Sequence, residues 1–123
     1  MESSILNLFR SAENIQTFSA GETIFTEGTT GREMYVVLKG SVDIPIGNKT
    51  LDVTGPGGVF GEMALIDSSA RSATAIAKVD CTLASIDERQ FLRMVERTPT
   101  FTLNVMQILA GRLRRMDALL SVG

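Results

Sequence analysis

Phe60 to Thr74 read FGEMALIDSSARSAT, and the stretch sets a carboxylate, Glu62, and a guanidinium, Arg71, on either side of a short apolar turn. Gly55 to Gly58 precede it as Gly-Pro-Gly-Gly, which signals a tight turn. The chain is expected to leave that turn into a helical turn whose first amide N–H groups have no intrahelical acceptor, an arrangement that attracts anions. Arg71 has the one side chain whose planar fork grips two phosphate oxygens while staying charged at any physiological pH. Glu62 would repel a bare phosphate, so the pair suits a ligand that also carries hydroxyls. Taken singly, Glu62 reads as a helix cap, Arg71 as one half of a surface ion pair and Ser72 as an ordinary strand residue.

Around this stretch, from Phe18 to Ile86, short apolar runs are broken by glycine at brief intervals, from Gly21 to Gly61. That punctuation predicts an antiparallel β-roll or barrel. Met34 to Leu38 and Ser41 to Ile46 read as two strands joined by a tight turn at Lys39-Gly40, with Val42, Ile44 and Ile46 on one face. Pro45 cannot donate to a ladder and puts its stretch at an edge. Gly47-Asn48-Lys49 makes the next turn. Further upstream, Ile5, Leu6, Leu8 and Phe9 behind Ser3 or Ser4 suit a short amphipathic helix.

After Asp87 the apolar period lengthens from two to between three and four. Asp87 caps a predicted helix whose inner face is Phe91, Leu92 and Val95. Thr98-Pro99 ends it and opens a last helix to about Leu120. There Met106, Leu109, Leu113, Met116 and Leu120 repeat at steps of three and four, the spacing either of a coiled-coil seam or of a face laid on the roll. Arg112, Arg114 and Arg115 make a small basic end, read as a solvated helix face.

Composition narrows the chemistry. The 123 residues suit one domain, and 44% hydrophobic with 21% charged residues is ordinary for a soluble globular fold. A net charge of -2 argues against broad nucleic-acid binding. The chain has no histidine, which excludes Ser-His-Asp and Cys-His catalysis and any imidazole metal site. No acid cluster takes its place, so neither an enzyme nor a metal site is expected. Cys81 is the only cysteine; on an alternating strand it reads as an inert thiol in a reducing cytoplasm. No apolar run is long enough for a membrane span.

These residues resemble the cyclic nucleotide-binding domains of the catabolite activator protein, protein kinase A regulatory subunit and nucleotide-gated channel type. The likeness covers nearly the whole chain. Gly21-Glu22-Thr23-Ile24, Glu27-Gly28, Met34-Tyr35-Val36-Val37 and Lys39-Gly40-Ser41-Val42 look like the family's strand and turn signals, and residues 60–74 match its phosphate-binding cassette from end to end. The resemblance implies a mainly β fold, a double-stranded, jelly-roll-like β-roll with a short N-terminal helix and two C-terminal helices. On that layout residues 1–17 form the N-terminal helical segment, 18–87 the roll and 88–122 the helices of one domain.

The resemblance also implies roles. Glu62 would accept from a ribose 2′-hydroxyl and Arg71 would pair with the exocyclic oxygens of a cyclic phosphate. Gly61, Met63 and Ala64 would offer amides or close approach. Ser72 would bond the phosphate or a guanine amino group, and Ala73 would add its amide. Many relatives carry proline where Ala70 stands, so a looser turn is expected there; many also carry an acid where Arg32 stands. For the base, apolar packing is expected against Val36, Leu38 or Val53, with Met116, Asp117 and Leu120 on the last helix as the positions that close over it. The ligand is cyclic AMP or cyclic GMP, with cyclic AMP favoured and no separate cofactor. Leu65 would pass the movement of the cassette to the C-terminal helices, which either cover the base or change a homodimer contact. A β-roll kept for dimerisation without ligand is the alternative. Residue 123 follows the last helix closely, so any DNA-binding, kinase or channel module that the domain regulates is expected outside these residues, and the sequence leaves open whether the domain stands alone or is a piece of a longer chain.

Overall fold

The computed structural model describes residues 14–46 and 50–122. The helix expected upstream of residue 14 and the turn at Gly47-Asn48-Lys49 lie outside them. Eight strands are described: β1 (Ile15–Phe18), β2 (Thr23–Phe25), β3 (Glu33–Lys39), β4 (Val42–Ile46), β5 (Thr50–Thr54), β6 (Val59–Phe60), β7 (Ala75–Ala77) and β8 (Cys81–Asp87). With them come helices α1 (Met63–Ile66), α2 (Glu88–Arg97) and α3 (Pro99–Val122). The strands form two four-stranded antiparallel sheets, ordered β1-β8-β3-β6 and β2-β7-β4-β5. This is the β-roll. It begins at Ile15, inside the segment expected to be helical, because residues 15–18 pair with Cys81 to Ala84 of β8.

Strand alternation builds two cores from β3. Tyr35 and Val37 face the interior between the sheets with Val42, Phe60, Ala77 and Leu83. Met34 and Val36 face outward from the first sheet, where Phe101 and Val105 of α3 cover them. Successive side chains of a strand point to opposite faces, so β3 is apolar from Met34 to Leu38 and buried on both sides from Met34 to Val37. The turn at Gly40, with φ +88°, delivers β4 to the other sheet; the two strands are not hairpin partners. β7 pairs with β4 only at Val42 and Asp43, which leaves Pro45 beyond that ladder.

A reciprocal cap opens α2: Asp87 accepts from the Gln90 amide at 2.8 Å, and the Gln90 side chain accepts from the Asp87 amide at 3.0 Å. Its inner face is Phe91 and Met94, while Leu92 and Val95 are exposed. Pro99 opens α3 as expected, but the helix presents Phe101, Val105 and Ile108 to the roll. Of the predicted seam, Leu109 packs on the core, whereas Met106 and Leu113 are exposed at 60% and 62%. Complete burial of Phe101 removes an aromatic side chain from water for about 2–3 kcal/mol, which docks the helix beside the cassette. Cys81 is buried and its thiol donates to the Ser41 carbonyl at 2.9 Å, as suits an inert packing residue. No helix among the described residues is long and apolar enough to cross a membrane.

Candidate functional site

Residues 60–74 carry the chain from β6 at the edge of one sheet to β7 inside the other, so the cassette spans the open end of the roll. Gly61 begins it with φ +77°, a left-handed conformation that favours glycine. Glu62 follows as the residue before α1, yet its side chain makes no cap bond; the helix-cap reading does not hold. Instead the carboxylate turns inward and is only 4% exposed. Four residues of helix leave the Met63 and Ala64 amides in a first turn that has no preceding helical acceptor. Leu65 points the other way and packs on the core that holds Phe101 and Val105.

Arg71 is buried as well, at 7% exposure. Its Nη1 donates to the Gly61 carbonyl at 3.0 Å, and its guanidinium lies 4.1 Å from the centre of the Phe25 ring. Phe25 in turn stacks with Tyr35, which stacks with Phe60 at 5.3 Å. A cation over an aromatic face is held by the ring quadrupole without losing its donors to an acid. No carboxylate lies within ion-pair distance of Arg71 among the described residues. Burial pulls the guanidinium below its ordinary pKa, with the fields of Tyr35, Glu33 and Glu62 opposing that fall. The same burial lifts the Tyr35 phenol, helped by Glu33 and opposed by Arg71.

The backbone fixes Arg71 too. Its amide donates to the Thr29 carbonyl and its carbonyl accepts from the Gly28 amide, both at 2.8 Å. This two-way pairing ties the cassette loop at Arg71 to the turn at Gly28 and Thr29. Gly31 makes room for the side chain: a Cβ there would meet Arg71 Nε at 2.2 Å. Nothing in the spacing of the sequence singled out Gly31 or Phe25.

Glu62 and Arg71 border one cavity of about 440 Å³, within the range of small-molecule sites. Gly61, Met63, Ala64, Ser72 and Ala73 border it as well, so the structure brings all seven predicted cassette residues together. The far wall differs from expectation. Val36 and Leu38 belong to the helix-side core, and Val53 is 48% exposed on the outer face. On β5 the inward residue is Asp52, paired with Ile44, whereas Val53 pairs with Asp43. Ile44, Pro45, Leu109 and Leu113 supply the apolar wall. The side chains of Met116, Asp117 and Leu120 lie outside the described residues.

The largest departure is Arg112. Read from the sequence as part of a solvated basic end, it lines the cavity beside Glu62. Its Nη1 donates to Glu62 Oε1 at 2.7 Å and its Nε to Asp52 Oδ2 at 3.0 Å. Nη2 donates to Thr54 Oγ1 at 3.4 Å and to the Val59 carbonyl. The spacing that could have found it is 101, 105, 108, 112, the buried face of α3. Among the described residues no three metal-ligating side chains come together.

A family model described as the cyclic nucleotide-binding domain matches residues 15–98. The Cyclic AMP receptor protein of Thermus thermophilus is 36% identical over 105 residues, which cover 81% of this chain and 49% of that protein. The chain thus spans about half the length of this curated relative. The crystal structure of the Thermus thermophilus Catabolite Activator Protein superposes with a TM-score of 0.79 at 33% identity, over 97% of this chain and 58% of the other. A structure from work on a cyclic-GMP-dependent signalling pathway that regulates bacterial phytopathogenesis gives 0.73 at 29% identity, over 93% and 92%.

Proposed function

This chain belongs to the cyclic nucleotide-binding domain family, and from that premise we propose that its cavity takes cyclic AMP in preference to cyclic GMP as the input of a regulatory, non-catalytic domain. One observation carries the reading: Glu62 and Arg71, from opposite ends of one cassette, are both buried against the same cavity. Arg71 pairs with the exocyclic oxygens of the cyclic phosphate, joined by amides of the 61–64 turn, the Ser72 hydroxyl and the Ala73 amide. The ribose 2′-hydroxyl donates to Glu62. Desolvating a phosphate monoanion needs a charge and several donors at once, and the cassette supplies both.

Adenine is favoured by the apolar wall of Ile44, Pro45, Leu109 and Leu113, and the Thermus relative is named for cyclic AMP. Met116 and Asp117 lie one turn beyond Arg112 on α3 and are the positions from which the helix closes over the base. Inward movement of the cassette reaches α2 and α3 through Leu65, which packs on the same core as Phe101 and Val105. The setting is the cytoplasm. A second reading, a roll that serves dimerisation without nucleotide, is favoured by the exposed Leu103 and Met106 on α3; a second copy on these two residues is compatible with nucleotide binding too, because neither lines the cavity. Competition of cyclic AMP and cyclic GMP in one titration tests the proposal. Tighter cyclic AMP supports it, and tighter cyclic GMP reverses the base preference.

A further inference from the structure

Asp52 has no part in the cassette, yet it takes two arginines from α3. Its Oδ2 accepts from Arg112 Nε at 3.0 Å, and its Oδ1 forms an ion pair with Arg115 Nη2 at 3.2 Å. Arg112 is therefore shared between two carboxylates from different elements, Asp52 on β5 and Glu62 in the cassette. Glu62 Oε1 is bound by a charged donor at 2.7 Å, and charge-assisted bonds of this kind are about twice as strong as neutral ones. A neutral hydroxyl that seeks the same oxygen, Oε1, meets a charged donor already seated there.

We propose that Asp52 is a positioning residue that sets nucleotide affinity through Arg112, by anchoring the guanidinium where it engages Glu62. The inference rests on the cyclic-nucleotide reading of the cavity. Among the described residues, every ion pair between α3 and β5 runs through Asp52. Neutralising it leaves Arg112 with Glu62, Thr54 and the Val59 carbonyl and exchanges the charged Nε anchor for a weaker neutral one, so the fraction of molecules in which Arg112 leaves Glu62 Oε1 open to a ribose hydroxyl rises. Apparent affinity scales with that fraction. Removing one negative charge beside an anion cavity acts in the same direction, but without regard to the hydroxyl. A ligand that lacks the 2′-hydroxyl separates the two effects.

The test is calorimetric titration of wild type and Asp52→Asn with cyclic AMP and with 2′-deoxy cyclic AMP. Asp52→Asn should bind cyclic AMP about three- to tenfold more tightly, while the deoxy analogue gains less than about twofold. Asp52→Glu should return the wild-type values, and Asp52→Ser, a second neutral variant, should repeat the gain. Unchanged or weaker cyclic AMP binding in both neutral variants overturns the inference alone. So does an equal gain for both ligands, which would make Asp52 a charge and nothing more. A wild-type chain that binds neither nucleotide removes the reading beneath it and the inference together.

Discussion

Arg112 on α3 donates to Glu62 in the cassette at 2.7 Å, joining the last helix directly to the carboxylate proposed to hold the ribose. Arg112→Ala would leave a nearly buried carboxylate without its cation. Breaking a pair of this kind costs more than an exposed pair is worth, so a loss of about 2 kcal/mol is expected in urea unfolding. Adding Glu62→Gln should recover part of it. A double variant whose loss equals the sum of the single losses would show that the two side chains are not coupled.

Arg71 presents a fork, and its replacements should separate charge from shape. Arg71→Ala is expected to weaken cyclic AMP by at least about a hundredfold and Arg71→Lys by about tenfold. Glu62→Ala should fall nearer the lysine value, because it removes one neutral donor's partner. Equal, negligible losses at both positions would put the site elsewhere.

Gly31 gives a test at one remove. A Cβ there reaches Arg71 Nε at 2.2 Å, so Gly31→Ala should displace the guanidinium and weaken binding about tenfold or more while the domain still folds. In an Arg71→Ala background the same change should cost almost nothing in unfolding experiments. A full cost in that background would mean the clash is with something else.

Leu65 packs on the core shared with Phe101 and Val105. Leu65→Ala should cost about 2 kcal/mol in stability. It should also reduce the ligand-induced change in amide exchange along α2 and α3, with binding kept. An undiminished exchange response would remove Leu65 from the route.

Tyr35 makes stability depend on pH at the alkaline end. Burial raises its pKa in the folded chain, so from about pH 10, the ordinary value, up to the folded value, the folded state holds a proton that the unfolded state has released. Its contribution is fully present below that window and is lost as pH rises through it. Tyr35→Phe should flatten the fall in urea midpoint between pH 8 and about 10.5. Parallel profiles for the two proteins would contradict this.

The cassette was legible because its chemistry is local: fifteen consecutive residues carry the turn, the carboxylate and the guanidinium. The glycine-punctuated roll and the change of period at Asp87 were legible for the same reason. What failed depended on register between distant segments. On β5 a shift of one residue exchanges Val53 for Asp52 at the cavity wall, and a one-residue slip moves a side chain to the opposite face. On α3, Met106 and Val105 begin neighbouring apolar stripes of similar spacing, and only the docked roll decides between them. Arg112 falls on the buried stripe but was read by its charge. On α2 the same ambiguity favoured Leu92 over Met94.

The most direct measurement is a calorimetric titration of the wild-type chain and Arg71→Ala with cyclic AMP. One site per chain with a dissociation constant in the micromolar range, about -8 kcal/mol, is predicted for wild type, and loss of nearly all the heat for the variant. No binding of cyclic AMP or cyclic GMP by the wild-type chain at millimolar concentration would contradict it.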